Sequence, residues 1–362
     1  MALRHHFCVA TGLCLSVFAA PSPAVEGFEA DPAETAPLAA STLLLDAVLV
    51  DGAYVAVGDR GHILTSSDAG ETWQQQAVPT RSMLTAVWFH DRQTGWAVGH
   101  DTLVLKTTDG GVTWIPKHYA PDPEQPLFDV WFAEDGQKGF AVGAYGFLLS
   151  TRDGGETWQA GSMEAEVWDP GAEAAAAGGE DDPATEAVAD ESVDDMDDEE
   201  GFDDWDDVEG GVHLNKISQA DDGTLWIGAE AGKLYRSDDG GETWLRIPTP
   251  YDGSFFGILP VGESQVLAFG LRGNLFFTDD RGANWTRLET PETVSLNDAI
   301  QLDDGRVVIV GMAGTVLVGT PEDGFELKQQ DDRKAIVQVL PGDGSLLLFG
   351  EAGAVKIPVP AG

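Results

Sequence analysis

Along most of the chain, apolar and polar residues alternate in short runs rich in β-branched and aromatic side chains, each run ended by glycine. A period of two is the signature of half-buried strands. In the first unit, Asp46-Ala47-Val48-Leu49-Val50 reads as an inner strand, Tyr54 to Gly58 as a second and His62 to Ser66 as a third, with an outer strand from Trp73. The pattern returns over Thr85 to Pro116, Phe128 to Ala160, Leu214 to Ile247, Phe256 to Leu288 and Asp298 to Lys328, and Ala335 to Pro358 stops after its third strand. Glycines 58, 99, 143, 228, 270, 311 and 350 mark the units and recur every 39 to 44 residues, apart from one long gap. Four short strands per period of this length define a propeller blade. The sequence therefore predicts an all-β, seven-bladed β-propeller with four-stranded antiparallel blades. The blade lacking a fourth strand is expected to be closed by an N-terminal strand from within Val25 to Pro37, where several prolines suit an outermost edge.

Five copies of one turn separate third from fourth strands: SSDAGETW (Ser66 to Trp73), TTDGGVTW (Thr107 to Trp114), TRDGGETW (Thr151 to Trp158), SDDGGETW (Ser237 to Trp244) and TDDRGANW (Thr278 to Trp285). The hydroxyl residue and the aspartates Asp68, Asp109, Asp153, Asp239 and Asp280 bond turn amides, and glycine takes the positive-φ position. Trp73, Trp114, Trp158, Trp244 and Trp285 are large apolar plugs. In the sixth unit the turn decays to Thr320-Pro-Glu-Asp-Gly-Phe325 and the Trp is gone. The motif resembles the Asp-box, or bacterial neuraminidase repeat, found in sialidases and in many non-enzymatic propellers. Its repetition argues for a structural task rather than catalysis.

Composition changes the picture at two places. Arg4, His5 and His6 precede an apolar stretch from Phe7 to Ala20 and a Ser22-Pro23-Ala24 triplet, the layout of a cleaved secretory signal. Residues 1–24 are assigned to that signal and 25–45 to the closing segment. Both cysteines, Cys8 and Cys14, fall inside the signal, so no disulfide is expected in the exported, periplasmic chain. Blades one to three then span 46–160 and blades four to seven span 211–362. Between them, 161–210 reads as a disordered acidic insertion: Glu164 to Glu209 carries 21 Asp and Glu and no Lys or Arg. The formal charge of −42 excludes nucleic acid as a partner. Weak calcium binding by the insertion is the one metal expectation. An EF-hand frame on Gly201 fails, because Met196 falls at its first ligand position, and His100 and His213 read as ordinary loop residues.

No catalytic constellation emerges. Leu245-Arg246-Ile247-Pro248 resembles a sialidase signature but lies after Trp244 on an outer strand. With five tyrosines and no Tyr–Glu pairing, the expectation is a protein that is not an enzyme, without cofactors. The alternative is a carbohydrate-binding or glycoside-hydrolysing propeller, since carboxylate pairs are plentiful.

The turns between second and third strands open on the face opposite the Asp-boxes. They read Gly58-Asp-Arg-Gly61, Gly143-Ala-Tyr-Gly146, Gly270-Leu-Arg-Gly273, Gly311-Met-Ala-Gly314 and Gly350-Glu-Ala-Gly353. Between-blade connections bring Arg81, Arg333 and Lys334 to the same face. With Arg60, Arg272 and Tyr145 they make a sparse basic rim suited to acidic segments of a partner. The Trp205-centred part of the insertion is expected to fold over that rim and compete. The frames Thr94-Gly-Trp-Ala-Val-Gly99, Leu103 to Trp114 and Val57-Gly-Asp-Arg-Gly-His-Ile-Leu64 resemble the photosystem II stability and assembly factor family. The resemblance spans about Asp46 to Pro358. It implies a lumenal or periplasmic seven-bladed propeller that assists membrane-complex assembly through an arginine patch, onto which Arg60 and Arg272 map. Because Tyr145, Ala313 and Ala352 replace other patch arginines, the expected branch is a non-photosynthetic bacterial one associated with resistance-nodulation-division transporters, with a membrane protein as partner.

Overall fold

In the computed structural model, which describes residues 25–169 and 211–360, the alternating runs become seven sheets arranged as blades. Blade one is β1 (Leu44–Val50), β2 (Ala53–Gly58), β3 (Ile63–Ser66) and β4 (Gln74–Gln75). Blade two is β5 (Leu84–Phe89), β6 (Gly95–Gly99), β7 (Val104–Thr107) and β8 (Ile115–His118), and blade three is β9 (Leu127–Phe132), β10 (Gly139–Gly143), β11 (Phe147–Thr151) and β12 (Gln159–Ser162). After β13 (Glu166–Val167), blade four is β14 (Leu214–Gln219), β15 (Leu225–Ala229), β16 (Leu234–Ser237) and β17 (Leu245–Ile247). Blade five is β18 (Phe255–Pro260), β19 (Val266–Gly270), β20 (Leu275–Thr278) and β21 (Thr286–Leu288). Blade six is β22 (Leu296–Gln301), β23 (Val307–Gly311), β24 (Val316–Thr320) and β25 (Gly324–Leu327), and blade seven is β26 (Ile336–Gly342), β27 (Ser345–Gly350) and β28 (Gly353–Pro358).

Side chains on facing sheets fill the space between neighbouring blades. Trp96 stacks on Phe132 at 3.6 Å between ring centres, and each is fully buried, a gain of about 3 kcal/mol per ring. Among the Asp-box tryptophans, Trp114 meets Phe89 and Trp158 meets Phe132 within their own blades, whereas Trp244 meets Phe140 of the preceding blade, all edge-on. Glycines recur where the second strand passes the start of the first. A Cβ on Gly58, Gly99, Gly143, Gly270, Gly311 or Gly350 would fall 2.1–2.2 Å from a backbone carbonyl oxygen. Blade four departs from the expected list. Its residue opposite Leu214 is Ala229, and a Cβ on Gly228 would meet nothing closer than 3.6 Å.

Ring closure differs from the expectation. Blade seven has three strands, and among the described residues no N-terminal strand joins it. Residues of the 25–37 stretch instead run along blade one, where Asp31 and Ala33 donate their N–H groups to Pro79 and Val78 carbonyls and Ala36 N–H reaches Gln75 Oε1. Blades seven and one close face to face. Leu347 and Phe349 pack on Leu44, Ala47, Ala56 and Leu64, while Tyr54 Oη donates to Pro341 O at 2.8 Å. Apolar burial between sheets is non-directional and needs no strand exchange to hold the ring.

The acidic insertion, read as starting at 161, begins with ordered chain. Gln159–Ser162 completes blade three, and Glu166–Val167 pairs in parallel with β17, giving blade four a fifth strand. Trp168 then covers Arg236, whose guanidinium lies 4.5 Å from the ring centre. Trp205, Gly201, the cysteines and the signal segment lie outside the described residues.

Candidate partner-binding face and axial girdle

The predicted Asp-box turns form as read. In the first, Asp68 Oδ1 accepts from Thr72 N–H at 2.9 Å and from the Ser66 hydroxyl at 2.8 Å, and Gly70 N–H donates to Ser66 Oγ at 3.0 Å. The Thr72 hydroxyl and amide, with Ser66, hold the Asp68 carboxyl down at about 2. In Asp153 and Asp239 burial pushes the other way, but the Thr157 and Thr243 hydroxyls and amides outweigh it and bring both to about 2. Asp109 and Asp280 have the same bonds through Thr113 and Asn284. Both oxygens of each carboxylate accept bonds from the turn, so these groups brace hairpins. The Leu245–Ile247 strand carrying Arg246 lies at the outside of blade four, away from the axis.

On the opposite face the six turns of blades one to six share one backbone device. A residue that is not glycine stands in the left-handed region: Arg60 (φ 55°), Asp101 (60°), Tyr145 (58°), Ala231 (53°), Arg272 (59°) and Ala313 (56°). Each costs about 1–2 kcal/mol relative to a right-handed conformation. Asp101 and Ala231 belong to this set and were missed, because their turns, His100-Asp-Thr102 and Glu230-Ala-Gly232, break the Gly-x-x-Gly spelling. The blade-seven turn is different: Gly350 pairs with Gly353 across a tight two-residue hairpin, and Ala352 is not left-handed.

The rim residues reach this face with unequal freedom. Arg60 is 77% exposed and, among the described residues, pairs only with Asp59, at 3.3 Å. Arg81 is held by Asp31 at 3.0 Å and Glu34 at 2.9 Å, so the N-terminal segment neutralises it. Arg272, Arg333 and Lys334 have no side-chain ion pair among the described residues. The open cations thus form an arc over blades five, six, seven and one. The other side of the face is aromatic and acidic. Tyr145, half exposed, donates its N–H to His213 Nδ1 at 3.1 Å, and the two rings lie 4.9 Å apart. His213 therefore props Tyr145 rather than being an incidental loop residue. Beside them is a groove of about 560 Å³ lined by Pro123, Glu124, Gln125, Tyr145 and Met163. His100 lies 3.7 Å from Glu124.

A second cluster, which the sequence reading missed, lies on the axis. Every inner strand slips register after its first residue, and the bulge is followed by Asp46, Ala86, Asp129, Lys216, Gly257, Asp298 or Gln338. The charged members are staples. Asp46 Oδ2 accepts from Val87 N–H (2.7 Å), Asp129 Oδ2 from Ile217 N–H (2.9 Å) and Asp298 Oδ2 from Val339 N–H (3.0 Å), in each case in the following blade. Gln338 closes the ring by donating to Ala47 O at 3.3 Å. The Lys216 ammonium lies 3.7 Å from Asp129 and keeps 27% of its side-chain surface open, although it lies deep in the ring. Burial, reinforced by the other two carboxylates, pushes Asp46 up to about 7 against the pull of Lys216, and burial raises Asp298 to about 6 and Asp129 in the same direction. Burial disfavours the Lys216 ammonium, but Asp129, Asp46 and Asp298 outweigh it and raise its pKa. The signal was legible as an apolar-x-polar opening in five inner strands: Leu44-x-Asp46, Leu127-x-Asp129, Leu214-x-Lys216, Leu296-x-Asp298 and Ile336-x-Gln338. Among the described residues no group of three or more His, Cys, Asp or Glu is arranged to hold a metal ion, and no helix is long and apolar enough to cross a membrane.

Fold and braced hairpins together define an Asp-box propeller whose opposite face carries the turns of Arg60, Tyr145 and Arg272. A family profile described as "Photosynthesis system II assembly factor YCF48" matches residues 65–160. The photosystem II stability/assembly factor HCF136 of Cyanidioschyzon merolae is 41% identical over 58 residues, a stretch covering 16% of this chain and 13% of that protein. Among solved structures, YCF48 bound to D1 peptide superposes over 94% of this chain and all of its own, with a TM-score of 0.62 at 17% identity. YCF48 from Cyanidioschyzon merolae covers 87% of this chain and 95% of its own, with a TM-score of 0.61 at 14% identity. The WD40 propeller of Doa1 reaches 0.60 at 10% identity, covering 90% of this chain and 95% of its own. The chain is thus a seven-bladed propeller that resembles photosystem II assembly factors over residues 65–160 and spans only a small part of the curated relative it matches.

Proposed function

We propose that this protein is an exported, non-enzymatic assembly or scaffold factor that holds a segment of a membrane protein on its turn face. The arc of Arg60, Arg272, Arg333 and Lys334 carries this reading. Three of these cations, Arg60, Arg272 and Arg333, stand at left-handed positions where glycine would be cheaper, and a chain of formal charge −42 leaves Arg272, Arg333 and Lys334 without an ion pair among the described residues. Such an arc recognises carboxylates, and the groove beside Tyr145 offers an apolar seat next to it. A related propeller of known structure is described as bound to a D1 peptide, which supports the same use here. The partner class we favour is an envelope transporter of the resistance-nodulation-division type, with the protein acting in the periplasm.

The glycoside-hydrolase reading has one observation in its favour, the pair Asp46 and Asp298 raised to about 7 and about 6. Both carboxylates are buried and each is engaged on a backbone N–H of the next blade. That geometry serves the ring better than a glycosidic oxygen.

The test is crosslinking of the tagged protein in its native host, followed by mass spectrometry of what stays attached after membrane solubilisation. Recovery of an integral membrane protein with the wild type, and its loss from an Arg60→Glu, Arg272→Glu double variant, is the expected outcome. Equal recovery with both would overturn the assignment of the face. Recovery of no protein would turn attention to glycans.

A further inference from the structure

In six blades a fourth strand pairs with the third, whereas in blade seven no strand pairs with the outer edge of β28 among the described residues, and Ala40 and Ser41 lie against its first residue, Gly353. Residues of β3, β7, β16 and β20 are mostly buried, whereas Lys356 and Pro358 are exposed and Ala354, Val355 and Ile357 half-buried. This bare edge is six residues long, against two to four for the fourth strands elsewhere. Long unpaired edges are templates for an added strand.

Blade six shows what such a strand would do. Lys328 N–H donates to Val316 O at 2.7 Å, and Leu327 stands opposite Leu317. Val310 pairs with Val316 as Phe349 pairs with Ala354, so Val316 corresponds to Ala354 and Leu317 to Val355. The edge of β28 accordingly presents the N–H and C=O groups of Ala354 and Lys356, and ends at Pro358, which has no N–H to leave unpaired. A residue placed opposite Val355 shares its face of the sheet. On that face Val355, Ile336 and Leu348 line a cavity of about 240 Å³ beneath the connection that carries Asp331, Asp332 and Lys334.

The occupant is constrained. The described N-terminal segment is bonded along blade one through Asp31, Ala33 and Ala36, and reaches blade seven with Ala40 and Ser41 beside Gly353, short of the edge groups of Lys356. A second copy would bring another formal charge of −42 against the first. Lys356 is already paired with Glu71 at 2.7 Å, and the cavity is lined by Asp331 and Asp332 against Lys334, which favours a neutral or basic strand. Blade four shows the principle at work, since β13 extends its edge. We propose that the open edge of blade seven docks an extended segment of a partner protein, neutral or basic, which adds as the missing fourth strand and places one bulky apolar side chain beside Val355. The surface is reached from the outer circumference, with Lys334 standing where it meets the turn face.

The test uses the full chain and the acetylated, amidated peptide GFELKQQ, the sequence of residues 324–330. Amide hydrogen exchange at Ala354 and Lys356 should slow by about tenfold or more at about 1 mM peptide, a concentration that detects even weak association. A peptide with Leu327→Asp should give no protection. Lys356→Pro removes an N–H that β27 does not use and should weaken binding about tenfold, whereas Lys356→Met, which loses only the ammonium's bonds to Glu71 and the Ala69 carbonyl, should bind like wild type. Val355→Trp fills the cavity and should also weaken binding, by about tenfold or more, independently of the proline. The proposal is overturned by absence of protection at that concentration, or by equal binding to wild type and both blocked variants. It is equally overturned if the edge amides are already protected without peptide, which would mean the chain covers its own edge. A concentration-dependent dimer abolished by Lys356→Pro would name a second copy as the occupant instead.

Discussion

The carboxylate of Asp46 in blade one accepts a hydrogen bond at 2.7 Å from the backbone N–H of Val87, 41 residues away in blade two. Asp129 and Asp298 repeat the relationship toward blades four and seven. The same residues thus join blades and carry the strongest upward pKa shifts among the carboxylates. Replacing the acceptor separates the two roles. Asp46→Asn keeps an oxygen for Val87 while removing the buried charge, so thermal stability at pH 8 should rise. Asp46→Ala leaves the Val87 N–H unsatisfied and should cost about 1–3 kcal/mol. Urea titration of both variants checks the order.

Stability should also depend on pH in a specific direction. Asp46 and Asp298 hold protons in the folded chain up to about 7 and about 6, whereas the unfolded chain releases them near 3.8. The folded state binds more protons across that window, so stability is fully present below it and falls as pH rises through it. Asp68, Asp153 and Asp239, lowered to about 2, act in the opposite sense: their contribution is present above 3.8 and lost as pH falls through 2. The midpoint of thermal unfolding should therefore peak near about pH 4–5. A midpoint that rises from pH 5 to pH 8 would contradict the girdle assignment, and Asp46→Asn with Asp298→Asn should flatten the neutral limb.

Arg60 and Arg272 should be dispensable for the fold. Each stands at a positive φ that glycine adopts without strain. The Arg60→Gly, Arg272→Gly variant should match the wild type within about 0.5 kcal/mol per site, since relief of backbone strain offsets the added freedom of the unfolded chain. Partner recovery should be lost all the same. A large drop in stability would show these arginines to be structural.

Trp168 should matter locally. It covers Arg236, a buried guanidinium that also bonds Asp238 and the Arg281 carbonyl, and it follows the strand that extends blade four. Trp168→Ala removes a desolvated cation–π contact of about 2 kcal/mol together with apolar burial. The β13 strand should then detach before the ring unfolds. Limited proteolysis between residues 160 and 169, faster than in wild type while the Asp-box hairpins stay protected, would report it.

The sequence by itself determined the blades, because the side-chain period of two and the eight-residue turns are local: Ser66, Asp68, Gly70 and Thr72 complete their bonds within one hairpin. It also located Arg60, Arg272 and Tyr145 on one face, since blade topology sends every turn of that kind to the same side. Only the tertiary structure decided how the ring closes. Whether Val25 to Pro37 lies on blade seven or on blade one depends on contacts such as Asp31 with Pro79 and Phe349 with Trp73, between elements whose order in sequence carries no distance. The girdle was hidden for the same reason. Asp46, Asp129, Lys216 and Asp298 are scattered over four blades and read singly as polar residues near strand starts, and the bulges of the inner strands turn their positions toward one axis. Their burial and mutual field exist only once the ring is complete.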